Sequence, residues 1–336
     1  MSMRSSTSLL GLCLATVAAA FLSPVAAQQW VMPRTPDGHP DLQGNWTNVT
    51  LTPFQRAANQ ESPVFTAEEV AQREGRAVSA VIRGAEPSDP DRPAPPAGGN
   101  IGAYNSVYFE QGTGVAVING EYRSSLITNP SNGRRPPRTP EAQERLRELR
   151  ESRSQFDQFD NPENRSLIER CFLFAGNAGP PMIPQNAYNN NYTIVQTADY
   201  VMLHPEVIHD TRIIRMGEPD PLPDHIRPWL GDSWGRWEGD VLVVETTNFH
   251  PLQTFQGLPS DNLKVIERFS RVDEETILYE FTIDDPTSYD QQWGGEIPFK
   301  KLDALLYEYA CHEGNYALSN VLSGARYQER QAEQNR

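Results

Sequence analysis

From residue 192 onward the chain falls into short runs in which apolar positions dominate or alternate with polar ones. They read YTIVQT, YVMLHP, TRIIRM, DVLVVETTNF, LKVIERFSRV, TILYEFTI, EIPFKK and LLYEYACH. Each run is rich in β-branched and aromatic residues and is bounded by Gly, Pro, Asp or Asn, as half-buried strands are. The connections, such as EGD (238–240) and VDEET (272–276), are tight. They leave no room for crossover helices, so sequential strands are expected to pair antiparallel. With the earlier strands, these runs predict a mainly β fold: an antiparallel, up-and-down, lipocalin-like barrel, with a sandwich as the other way to fold the same meander. Closure removes the exposed edges that would otherwise invite aggregation.

The first half of the chain supplies helical and irregular N-terminal insertions. PDLQGNWTNVTLTPF reads as a strand around Gly44-Asn45-Trp46. Thr66 and Glu69 form a capping box ahead of VAQREGRAVSAVI, so a helix is expected there. Residues 84–100 are rich in Pro, Gly and Asp, with too little apolar surface for a core, and read as a surface loop or linker. Residues 104–128 look like a hairpin, and NPSNGRRPP like a turn. A helix near 139–156 starts at Thr139-Pro140, with proline at its first position. It is polar nearly all round apart from Leu146, Leu149 and Phe156, so weak packing on the outside is expected. Residues 28–336 are read as a single β-rich domain.

Residues 1–27 change the picture of where the chain works. Arg4 precedes an apolar run from Leu9 to Leu22, and Val25-Ala26-Ala27 offers small residues for cleavage before Gln28. This is the pattern of a secretory signal peptide. The run is short for a membrane span, and Leu12 before Cys13 does not suit a lipoprotein. A periplasmic or secreted protein is expected, with no integral membrane segment after signal removal. The formal net charge is −15. That disfavours nucleic acid and anionic membranes as partners and leaves a small-molecule ligand or substrate. Without the leader two cysteines remain, Cys171 and Cys311, and in an oxidising compartment such a pair is expected to form a disulfide.

Several stretches together resemble a family of exported bacterial proteins of unassigned activity. They are SSLITNPSNGRRPPRTPEAQ, GPPMIP, NNNYTIVQT, IHDTRII, GDSWGRWEGDVLVVETTNF, ERFSRVDEETILYEFTIDDP and YEYACHEGNY…LSGAR. The resemblance spans most of the chain after the leader and brings no catalytic residues with it. Trp234 stands where the pattern has Arg, and SYDQQW (288–293) is more polar than the pattern, so a pocket lined by that segment would take a different ligand.

The candidate chemistry lies around LHPEVIHDTR. His204 and Glu206 share one face of a strand, and the following turn would return His209 towards them. His209 is the candidate base, Asp210 or Glu206 its orienting carboxylate, and Arg212 the holder of an anionic or carbonyl group. His312 and Glu313 form a second candidate acid–base pair. Read as a strand, YEYACHEGNY puts Cys311 and Glu313 on one side and His312 on the other. Asp232, Trp234 and Trp237 are candidates for a binding wall at the barrel mouth, with Tyr289 and Trp293 from the SYDQQW segment. Glu245, if it points inward, needs a buried partner, for which Arg268 and Arg271 are candidates. No HExxH, paired CxxC or EF-hand loop suggests a metal, no Gly-rich loop suggests a nucleotide, and no G-x-S-x-G suggests a serine hydrolase. No cofactor is expected. Three functions fit these features: an exported enzyme using a barrel pocket for acid–base chemistry of lyase, isomerase or hydrolase type, a lipocalin-like carrier without catalysis, or an envelope interaction protein.

Overall fold

The computed structural model describes residues 30–335 apart from 88, 92, 95, 97–109, 111, 175–178, 186, 187, 189, 209 and 260. The expected leader, His209, and parts of the 84–100 loop and the 104–128 hairpin lie outside the described residues. Residues 32–336 form one compact unit.

In chain order the elements are β1 (Gly44–Thr47), α1 (Ala67–Gly84), β2 (Val117–Ile118), β3 (Glu121–Tyr122), β4 (Ile127–Asn129) and α2 (Pro140–Ser154). There follow β5 (Asn191–Gln196), β6 (Tyr200–Pro205), β7 (Arg212–Met216), β8 (Asp232–Glu238), β9 (Val241–Thr247), β10 (Thr254–Phe255) and β11 (Leu258–Pro259). The chain ends with β12 (Lys264–Asp273), β13 (Thr276–Asp284), β14 (Trp293–Lys301) and α3 (Ala317–Gln334). Nine strands close a barrel in the order β1-β5-β6-β7-β8-β9-β12-β13-β14, and β4 adds beside β14. The seam is β14 against β1, with Trp46 opposite Lys301 and Thr47 opposite Lys300.

The barrel departs from the expected antiparallel meander at one place. β7 and β8 pair in parallel, Ile214 beside Ser233 and Arg215 beside Trp234. Parallel neighbours need a crossover, and residues 217–231 supply one without a helix. Its prolines, Pro219, Pro221, Pro223 and Pro228, keep it extended and irregular. The fold is therefore mainly β, as expected, but the barrel is mixed and not the all-antiparallel, lipocalin-like one.

LLYEYACH is not a strand. Residues 302–314 run as coil and turn, with Leu305 and Tyr307 among the most exposed apolar side chains, and lead into α3. The seam explains this: once β14 has paired with β1 the ring has no free edge for another strand to extend. The expected bond between Cys171 and Cys311 is present and ties this coil to the segment before GPPMIP. α1 carries the Thr66–Glu69 capping box. α2 lies outside the barrel, with Ala142 and Leu146 against Leu258 of β11.

Period-two alternation fills the interior. Val265 and Phe269 of β12, Ile277, Tyr279 and Phe281 of β13, Phe299 of β14 and Tyr192 of β5 are buried in one core with Leu42 and Trp46. Part of the interior is occupied by the chain itself. Residues 179–183 are buried; the Met182 amide donates to the Tyr279 hydroxyl at 2.9 Å, and Asn48 Nδ2 donates to the Met182 carbonyl at 2.9 Å. No helix among the described residues is long and apolar enough to cross a membrane.

Candidate functional site

Because β7 and β8 are parallel, both begin at the same end of the barrel. The crossover folds back over that end, and a groove of about 590 Å³ lies there. Asp210, Arg212 and Arg215 line it from β7 and the turn before it, Asp232 and Ser233 from β8, and Trp229 from the crossover. Gly231 makes the tight turn into β8 at φ +74°, and a Cβ there would come within 2.7 Å of Thr246 and Thr247. Only glycine delivers Asp232 to this position without strain.

The charges beneath the groove are paired. Arg212 and Glu267 are both buried, and the guanidinium meets the carboxylate through two hydrogen bonds, at 2.5 and 2.9 Å. Burial alone would lower the Arg212 pKa, but the charge and hydrogen bonds of Glu267 outweigh it and leave it raised. Burial, then the negative charge of Glu267, push the Tyr279 phenol well above its usual range. It stays protonated and donates to Glu267 at 2.9 Å. Ser233 and Thr246 hydroxyls are bonded at 2.8 Å beside this pair.

Nearer the surface, Arg215 pairs with Asp232 and lies over the Trp234 ring, 4.1 Å from its centroid. The other Asp232 oxygen accepts the Leu222 amide at 2.9 Å, which fastens the crossover to the strand. Behind Trp229, His250 stacks with a ring separation of 3.9 Å. Burial lowers the His250 pKa, and its Nδ1 accepts the Leu252 amide at 3.1 Å, which the neutral ring alone can do.

Of the residues singled out from the sequence, the structure brings Asp210, Arg212 and Asp232 into this one groove. Arg212 is corrected in role: its fork is filled by Glu267 and does not await a substrate anion. Glu206 instead accepts Asn191 Nδ2 at 2.9 Å and the Tyr307 amide at 3.1 Å, away from the groove lining. His312 is exposed, and Glu313 lines a second groove, of about 530 Å³, around the disulfide. Trp234 and Trp237 do not form one wall. Three positions apart on a strand, they face opposite sides: Trp234 meets Arg215, while Trp237 packs on the core and stacks on His39 at 4.7 Å. Tyr289 and Trp293 are buried together in an edge-to-face contact at 5.6 Å. Glu245 points outward to Arg236, and Arg268 pairs with Glu238.

Arg215, Trp229 and Glu267 were missed by the sequence reading. Glu267 carried a signal, since period two places it on the inward face with Val265 and Phe269. Arg215 and Trp229 depend on the parallel register and carried none. Among the described residues no group of three or more His, Cys, Asp or Glu could hold a metal ion. What the groove offers is a carboxylate at Asp210, a fixed Arg215–Asp232 dipole and aromatic walls from Trp229 and Tyr200.

No family model, no curated protein and no solved structure matches the chain. The site therefore rests on its own geometry.

Proposed function

We propose that this protein is an exported enzyme that performs acid–base chemistry, of lyase, isomerase or hydrolase type, on a small organic substrate held in the groove between β7, β8 and the crossover. The observation that carries the reading is the meeting of Asp210, in the turn before β7, and Asp232, at the start of β8, at one groove of about 590 Å³. In this reading Asp210, with His209 beside it in the chain, moves the proton. The Arg215–Asp232 pair orients the polar end of the substrate, and Trp229 shields it from water. His312 and Glu313 have no part in it, because neither lines this groove: His312 is exposed and Glu313 lines the other one. Export is supported by the pattern of residues 1–27 and by the Cys171–Cys311 bond. Membership of the exported bacterial family that the chain resembles is part of the same proposal.

The packed interior disfavours the carrier reading. A lipocalin-type carrier holds its ligand along the barrel axis, and here Trp46, Tyr192, Phe269, Tyr279 and Phe299 occupy that space with residues 179–183. The test fills the groove from its rim. Ile213 lines it and is 49% exposed, so Ile213→Trp adds bulk without entering the core. Wild type and Ile213→Trp are incubated with an envelope extract of the host, and the soluble compounds are followed by mass spectrometry. Wild type should consume a compound that the folded variant leaves untouched. Equal consumption by the two would remove this groove from the chemistry.

A further inference from the structure

The chain carries 44 acidic against 29 basic residues, yet one small cavity is lined by arginine. It measures about 230 Å³ and lies between α2 and the β10–β11 hairpin. Arg138, Arg150 and Arg153 line it together with Leu146 and Leu149. None of these three arginines forms an ion pair with a described carboxylate.

Helical periodicity separates the charges of α2, whose glutamates and arginines balance, into a cationic and an acidic side. At 3.6 residues per turn, Ala142, Leu146, Leu149, Arg150 and Arg153 share one side of α2. Glu141, Glu144, Glu148 and Glu151 fall on the opposite side, where Glu144 pairs with Arg147. The contact of Ala142 and Leu146 with Leu258 turns the arginine side towards the hairpin and the carboxylate side away.

The hairpin is shaped to hold arginine as well. Its two turn residues, Gln256 and Gly257, both have positive φ, +54° and +83°. Glycine takes this conformation freely, but for glutamine it is strained. Gln256 holds two guanidinium groups: its carbonyl accepts from Arg138 Nη2 at 2.7 Å, and its Oε1 accepts from Arg135 Nη1 at 2.5 Å. Positive φ at both positions is what a two-residue hairpin turn requires, and the turn fixes Gln256 beside the arginines.

We propose that this cavity binds an oxyanion, the phosphate or sulfate group of a small molecule, with Leu146 and Leu149 as an apolar collar. Guanidinium groups match such anions through paired hydrogen bonds, and Arg150 and Arg153, which line the cavity without an ion pair to a described carboxylate, can give those bonds to a ligand beside Arg138. The volume admits the anionic group and a small part of what bears it. This site is separate from the groove at β7 and β8, and neither depends on the other.

Isothermal titration at constant ionic strength tests it, with inorganic phosphate, glucose 6-phosphate and glucose 6-sulfate as probes. Saturable binding at one site is expected for at least one of them. Arg150→Gln/Arg153→Gln, at two cavity-lining residues that are both exposed, should weaken it by about tenfold or more, roughly 1.4 kcal/mol. Arg147→Gln on the opposite side should leave it unchanged, and a retained thermal midpoint confirms that the double variant is folded. Tighter binding of the esters would assign the site to an ester-bearing ligand, and equal affinity for inorganic phosphate to the free anion. No saturable binding of any probe, or unchanged affinity in the double variant, would overturn the proposal.

Discussion

Arg212 and Glu267 face each other inside the barrel, Nη1 to Oε2 at 2.5 Å and Nη2 to Oε1 at 2.9 Å, with 3% and 0% of their side chains exposed. Such a pair replaces two hydration shells with one another and with Tyr279. Its net contribution to stability is small, but breaking it from one side is costly. Glu267→Gln leaves a buried guanidinium without its counter-charge, and urea unfolding should show a loss of roughly 3–5 kcal/mol. Arg212→Met/Glu267→Leu removes both charges and should recover most of that loss. A single variant as stable as wild type would mean that water reaches the pair.

Acid should loosen the wall of the groove. The His250 pKa is lowered by burial, so the folded state favours the neutral ring stacked on Trp229. The stability this contributes is fully present above the ordinary histidine value of 6.5 and is lost as pH falls below it through the lowered folded value. Between pH 7.5 and 5 the thermal midpoint of wild type should fall more than that of His250→Gln. Parallel curves for the two would show that the stack is indifferent to charge. The depressed carboxylates, Glu238 and Asp240 among them, lose their contribution only at lower pH, so they do not obscure this window.

The disulfide spans a sequence separation of 140 residues, for which the chain-entropy account allows roughly 4–5 kcal/mol as an upper figure. What it fastens, however, is weakly held otherwise. α3 has no buried residue, and its polar contacts to the segment before Cys171 come from Arg326, which donates to the carbonyls of Phe159 and Asp160. Cys171→Ser/Cys311→Ser should therefore expose residues 302–335 to trypsin while global unfolding shifts by much less than the upper figure. A loss of the full amount would show that the C-terminal segment unfolds together with the barrel.

The spans of β5 to β7 and of β9, β12 and β13 were legible because each is a run with a buried face, and alternation reports burial directly. The direction of pairing was not. Whether β8 lies parallel or antiparallel to β7 depends on the path of residues 217–231, and four prolines in a polar stretch read simply as loop. LLYEYACH carried the same local pattern as a true strand; barrel closure at Trp46 and Lys301 decided its fate, and closure is a global property. The candidate site shows the same division. Asp210 and Asp232 could each be singled out for residue type, but only the parallel register brings them to one groove. Glu267 could have been placed inward from Val265 and Phe269, whereas its partner Arg212 belongs to a strand far from it in sequence.

The most direct measurement of the central claim compares wild type, Asp210→Asn and His312→Ala/Glu313→Ala in one assay. The rate of consumption of whichever compound wild type removes from a host envelope extract is followed by quantitative mass spectrometry, with folding confirmed by circular dichroism. Acid–base catalysis by a positioned side chain is worth roughly 10²–10⁴-fold. Asp210→Asn should therefore be slower by at least about a hundredfold, and His312→Ala/Glu313→Ala should match wild type. Wild-type rates in Asp210→Asn, or loss of turnover in His312→Ala/Glu313→Ala with Asp210→Asn intact, would contradict the account.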